Sequence, residues 1–117
     1  MKRELADRTK AFALRVIRMY SALPQSRVAK VLGDQALRSG TSVGAHYREA
    51  FRGRSAAEVI SKLEVALQEL DETTYWLEFL IDAGVVRAKR LEALLQEADE
   101  LTAILVTSVT TIKRKRR

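Results

Sequence analysis

Apolar residues recur three and four apart along almost the whole chain, a spacing that predicts helix from end to end. Leu5, Phe12, Val16, Met19, Tyr20 and Leu23 fall on one side of a first helix, and Pro24 stops it. A second helix runs from Ser26 to Arg52 and gives way at Gly53, a residue suited to the position just past a helix C-terminus. Ser55-Ala56-Ala57-Glu58 is a capping-box pattern, in which a hydroxyl and a carboxylate take up free N–H groups of the first turn. The third helix then runs to Ala83, with Gly84 as its stop; ~29 residues at 1.5 Å each make it roughly 43 Å long. Its apolar stripe is Ile60, Leu63, Leu67, Leu70, Thr74, Leu77 and Ile81. The fourth carries Leu91, Leu94, Ala98, Leu101, Leu105, Ser108 and Ile112. A sustained spacing near 3.5 residues favours helices packed almost parallel or antiparallel. No strand pattern competes, no linker separates a second domain, and no internal repeat is present. The expectation is an all-α, antiparallel up-down-up-down four-helix bundle over residues 1–112, followed by a basic tail at 113–117.

The second helix departs from this regularity. Leu37 to Ala50 is a run of small residues with Gly40 and Gly44 four apart, and each interior glycine costs about 1 kcal/mol relative to alanine. Close packing or a backbone approach to a ligand would offset that cost. Arg27, Lys30, Asp34, Arg38, Thr41, Ala45, Arg48 and Arg52 form one narrow stripe along this helix. Its apolar and small residues cover about half the circumference, wider than the ~100° one core contact requires. The helix is therefore expected to touch its own bundle and a second surface. Leu37, Gly40, Gly44, Tyr47 and Phe51 share one side, of which Gly40, Gly44, Tyr47 and Phe51 are the expected oligomer interface, and Gly44→Leu is expected to break the assembly or the fold.

Charge is distributed unevenly. Residues 1–23 and 24–54 are each net +4, residues 55–84 are net −6, residues 85–112 are near neutral, and 113–117 are all basic. Such asymmetry suits a polyanionic partner, or self-association between opposite faces. The run Lys113, Arg114, Lys115, Arg116 and Arg117 would displace counterions from a nucleic-acid backbone without reading sequence. Arg8, Arg15, Arg18, Arg38, Arg48 and Arg52 extend that candidate phosphate-contacting surface.

Chemistry for catalysis is sparse. Absence of cysteine removes disulfides, thiolate ligands and cysteine nucleophiles, and suits a reducing compartment. His46 is the one histidine, a turn from Ser39 and Ser42, and reads as a hydrogen-bonded helix residue rather than a general base. The acids of the third helix lack the Glu-x-x-His partners of a di-metal bundle and read as a solvated or intersubunit face. Tyr75 and Trp76 read as core or interface aromatics rather than base-stacking platforms. Neither phosphate-loop nor dinucleotide fingerprint occurs. No cofactor, metal or enzymatic activity is expected. A charged start without an apolar core is no signal peptide, and no apolar run approaches the ~18 residues of a membrane span, so a soluble, cytoplasmic protein is expected.

The stretch Leu37 to Ala50 closely resembles the signature of the four-helix-bundle proteins encoded in bacterial 23S rRNA intervening sequences. Arg15-Val-Ile-Arg-Met-Tyr20 with Leu23-Pro24, Ser55 to Leu63, and Glu69 to Leu80 with Trp76 resemble the same family, so that the likeness spans residues 10–84. His46 stands where members usually carry asparagine. The resemblance implies a four-helix bundle assembling as a homopentamer with no established enzymatic activity. The family includes an accessory protein of diversity-generating retroelements, a pentamer that binds nucleic acid and its partner reverse transcriptase through basic surfaces. The combined expectation is a non-catalytic, oligomeric bundle that binds nucleic acid electrostatically, RNA rather than DNA. The alternative is a protein-interaction adaptor, for example for a reverse transcriptase or another nucleic-acid enzyme.

Overall fold

In the computed structural model, which describes residues 2–116, the chain forms four helices: α1 (Arg3–Ser21), α2 (Arg27–Ala50), α3 (Ala56–Asp82) and α4 (Ala88–Lys115). They pack in chain order around one core, α1 on α2, α2 on α3, α3 on α4, and α4 back on α1. The bundle measures 50 × 21 × 20 Å, with the α1–α4 seam the loosest of the four. α1 and α2 meet α3 and α4 at two ends: one holds the α1–α2 and α3–α4 links, the other the α2–α3 link and the start and finish of the described chain.

Local chemistry accounts for the ends of the helices. The Ser26 hydroxyl accepts the Ala29 N–H at 3.1 Å, and the Ser55 hydroxyl accepts the Glu58 N–H at 3.2 Å. The expected reciprocal arm of the capping box reaches one residue further back: the Glu58 carboxylate accepts the Arg54 N–H. At the other end of α3, Gly84 has φ +74°, the one left-handed residue among those described. Its N–H donates to the Ile81 carbonyl, and the Val85 N–H donates to the Leu80 carbonyl, so the last carbonyls of α3 are satisfied as the chain reverses. α4 runs through Lys115. Lys113, Arg114 and Lys115, expected as a tail beyond residue 112, are its last turn, where cations complement the negative end of the helix dipole.

Phe12 and Val16 of α1, Ala36, Val43 and Tyr47 of α2, Leu63, Leu70, Leu77 and Leu80 of α3, and Leu101 and Leu105 of α4 make up the buried centre. The α3 stripe is turned slightly from its expected setting. Ala66, Thr73 and Leu80 are buried where Leu67, Thr74 and Ile81 were expected, because α3 lies between α2 and α4 and its inward face is the arc shared by both. In α4, Val109 replaces Ser108 at the buried position.

The wide apolar arc of α2 has its explanation inside the chain. Gly33, Gly40 and Gly44 face α1, where a Cβ on Gly40 would lie 2.9 Å from Val16 Cγ2 and one on Gly44 3.0 Å from Thr9 Oγ1. The adjoining side, with Ser39, faces α3, where the Ser39 and Thr73 hydroxyls meet at 2.9 Å. A helix with two neighbours needs an arc of this width, so the expected second surface of α2 is α1 of the same chain. Gly40 and Gly44, expected between chains, thus make a close contact between α1 and α2 of one chain.

Candidate nucleic-acid interface

Ion pairing divides the basic residues expected to touch phosphate. Arg8 is committed within the chain: its guanidinium donates to both Glu97 oxygens, at 2.6 and 3.1 Å, and lies 3.5 Å from Glu100. This bidentate pair across the α1–α4 seam raises the already high pKa of the arginine, the hydrogen bonds to Glu97 being the main cause. Arg38 likewise spans α2 and α3, 2.8 Å from Glu72 and 3.3 Å from Glu69. Both, expected as phosphate contacts, tie helices together in the structure, and their carboxylates come from helices whose register the periodicity of α1 and α2 does not contain.

Arg15 and Arg18 are differently placed. They line a groove of about 800 Å³ between the C-terminal half of α1 and the start of α4, and Arg87 and Arg90 line its other wall. The floor is apolar, with Met19, Leu23, Pro24, Val86 and Leu94. No carboxylate lines it, and among the described residues none of the four arginines is within ion-pair distance of an acid. α4 begins here without a side-chain cap and without an acid in its first turn, so its free N–H groups add positive potential to that of the arginines.

Arg87 and Arg90 were absent from the expected surface because the near-neutral sum over residues 85–112 masks them. The local signal is legible: Arg87-Ala88-Lys89-Arg90 puts three cations at a helix N-terminus, where the dipole favours acids.

The remaining candidates are scattered. Arg48 lines a smaller groove of about 710 Å³ between α1 and α2, beside Arg3, Lys10 and Asp7. Arg52 borders a recess with Glu49, Glu58 and Lys62. Lys113 is 3.5 Å from Glu64, while Arg114, Lys115 and Arg116 are exposed; Arg117 lies outside the described residues. The expected surface is thus two basic regions at opposite ends of the bundle, separated by the acids of α3 and α4.

Tyr47, expected at an oligomer interface, turns into the bundle of its own chain. It is fully buried, and its hydroxyl accepts the Lys2 N–H at 3.1 Å and lies 3.3 Å from the Lys2 carbonyl. Phe51 packs edge-on against it, ring centroids 5.2 Å apart, and stays partly exposed at 37%. Burial pushes the Tyr47 phenol above its ordinary pKa. The folded state therefore keeps a proton that the unfolded chain gives up near pH 10, so stability is full below that pH and declines as pH rises above it. Tyr47→Phe should show a shallower alkaline loss of stability than the parent in urea titrations between pH 8 and 11; parallel curves would rule out this contribution.

His46 is partly buried, its Nδ1 3.7 Å from the Glu49 carboxylate and without a hydrogen-bond partner. The Ser42 hydroxyl donates to the Arg38 carbonyl and Ser39 is engaged with Gln35 and Thr73, so neither serine is paired with it. Among the described residues no group of three or more His, Asp or Glu side chains is placed to hold a metal ion, and no helix is long and apolar enough to cross a membrane.

A family model described as 23S rRNA-intervening sequence protein matches residues 1–107. A crystal structure of a protein of unknown function from the S23 ribosomal protein family of Bacteroides thetaiotaomicron VPI-5482 superposes with a TM-score of 0.84. Its sequence is 36% identical, over 90% of this chain and 97% of that one. No curated protein matches the chain.

Proposed function

Because the chain belongs to the 23S rRNA-intervening sequence protein family, and because it carries an arginine-lined groove with no acid in it, we propose that it is a non-catalytic nucleic-acid-binding bundle. The groove is the observation that carries this reading. Four arginines with no ion-pair partner among the described residues line one groove at the start of α4, where their charge and the helix dipole both favour an incoming anion. Phosphate is the anion a cytoplasmic polymer presents in series, and RNA fits the reading better than DNA in view of the family. The protein binds through charge and position, with no chemistry performed on the bound strand.

Binding should therefore be strongly salt-dependent. With four arginines engaged, the slope of log affinity against log salt should be about −3 for a single strand, by the roughly −0.7 per phosphate that counterion release sets. Filter binding of RNA from 50 to 300 mM KCl tests this. Salt-indifferent affinity, or no retention of any RNA or DNA, would remove the reading.

A self-associating or adaptor role has its own support. Val28 and Val31 of α2 and Tyr75 and Phe79 of α3 are exposed, at 56%, 54%, 54% and 41%. The antiparallel register set by Ser39–Thr73 and Lys62–Glu49 brings these two pairs alongside each other near one end of the α2–α3 face. A homo-oligomer, the pentamer of the family resemblance included, would use this strip rather than the glycine side of α2. Light scattering of the unmodified protein decides it: a monomer at tens of micromolar would exclude the oligomer.

A further inference from the structure

We propose that the α1–α4 groove selects unpaired nucleotides, with phosphate held by Arg15, Arg18, Arg87 and Arg90 and the base lying on the apolar floor. This rests on the nucleic-acid reading above and narrows it to single strands.

Shape is the first reason. The site is concave and about 800 Å³, within the range of sites that enclose small ligands, which suits one or two nucleotides and not the convex flank of a double helix. Floor chemistry is the second. Met19, Leu23, Pro24, Val86 and Leu94 offer an apolar surface between the charged walls. A paired base is already stacked and turned inward, so a duplex gains nothing from that surface, whereas an unpaired base removes it from water. The charged groups themselves are the third. Each guanidinium is planar, so it can hold phosphate oxygens with two parallel N–H donors or lie flat on a base. Lysines at these positions would serve only as point charges. Finally, α4 starts beside the groove with no side-chain cap and no acid in its first turn, and no acid lines the groove, which leaves the phosphate unopposed.

The test uses the full chain and fluorescence anisotropy at about 100 mM KCl. The probes are a 5′-labelled 12-nucleotide RNA of mixed sequence and the same strand annealed to its complement. The single strand should bind at least tenfold more tightly than the duplex. The double variant Arg87→Ala/Arg90→Ala should lower single-strand affinity at least tenfold and duplex affinity less than threefold. Its circular dichroism and urea midpoint should match the parent, since neither arginine pairs within the chain. Adenosine monophosphate should displace the single strand at a lower concentration than inorganic phosphate does. Equal affinity for the two probes, an equal loss on both in the double variant, or equal potency of nucleotide and inorganic phosphate would each overturn the groove assignment while leaving general electrostatic binding in place. Failure to bind either probe would overturn both.

Discussion

Gly40→Leu is expected to destabilise the bundle by more than about 3 kcal/mol, seen as a large fall in the urea midpoint or the loss of a cooperative transition. A Cβ alone at this position would stand 2.9, 3.0 and 3.2 Å from three atoms of Val16. Val16 cannot turn aside, because a β-branched side chain in a helix has one strongly preferred rotamer and this one is fully buried. The only relief is to separate α1 from α2, which would uncover Phe12 and Thr9 as well. Gly33 provides the contrast. There the nearest obstruction is the far end of Leu23 at 2.5 Å, in the link after α1, with the Tyr20 ring at 3.1 and 3.3 Å. Gly33→Ala should therefore cost much less than Gly40→Leu, the gain in helix propensity of about 1 kcal/mol offsetting part of the side-chain rearrangement. If Gly40→Leu proved as stable as the parent, the close approach of α1 and α2 would be wrong.

Phe12→Ala is expected to cost about 3–5 kcal/mol and to lower Tm by something on the order of 15 °C. Phe12 is completely buried, and α1 contributes only Leu5, Thr9, Phe12 and Val16 to the interior. It is the largest of the four, and it lies on the helix that closes the loosest seam. Collapse around the vacated space is restrained on the α2 side, where the glycines already bring the backbones together. Leu14→Ala is the control: Leu14 is 44% exposed, and its loss should move stability by less than about 0.5 kcal/mol. Comparable effects for the two substitutions in thermal denaturation would contradict the assignment of the core face of α1.

The architecture was legible because its signals are local. Leucines three and four apart mark α3 and α4, Ser26 and Ser55 mark two starts, and Gly84 marks the one left-handed turn. What was not legible depends on partners distant in the chain. The breadth of the α2 arc was visible, but periodicity does not say whether a second neighbour belongs to the same chain or another. Arg8 and Arg38 looked free because Glu97 and Glu72 come from helices far along the sequence. The groove at the start of α4 was hidden for a different reason: four acids in α4 cancel Arg87, Lys89 and Arg90 in any sum, though they lie further along the helix.

The buried hydroxyls of Ser39 and Thr73 bear on how this sequence chooses among its own near-copies of the fold. Leu63, Leu70 and Leu77 of α3 repeat every seven residues, so sliding α3 along α2 by one repeat would still set leucine against the small apolar face of α2. Oil-like contacts alone would penalise such a misphased bundle only weakly. Sliding would part the two hydroxyls and leave each only the carbonyl of its own helix, Gln35 for Ser39 and Glu69 for Thr73, at a cost of about 0.5–1.5 kcal/mol for the shared bond. One polar contact in an otherwise greasy interior thus acts as a vernier, favouring one alignment of the two longest-contacting helices over its neighbours.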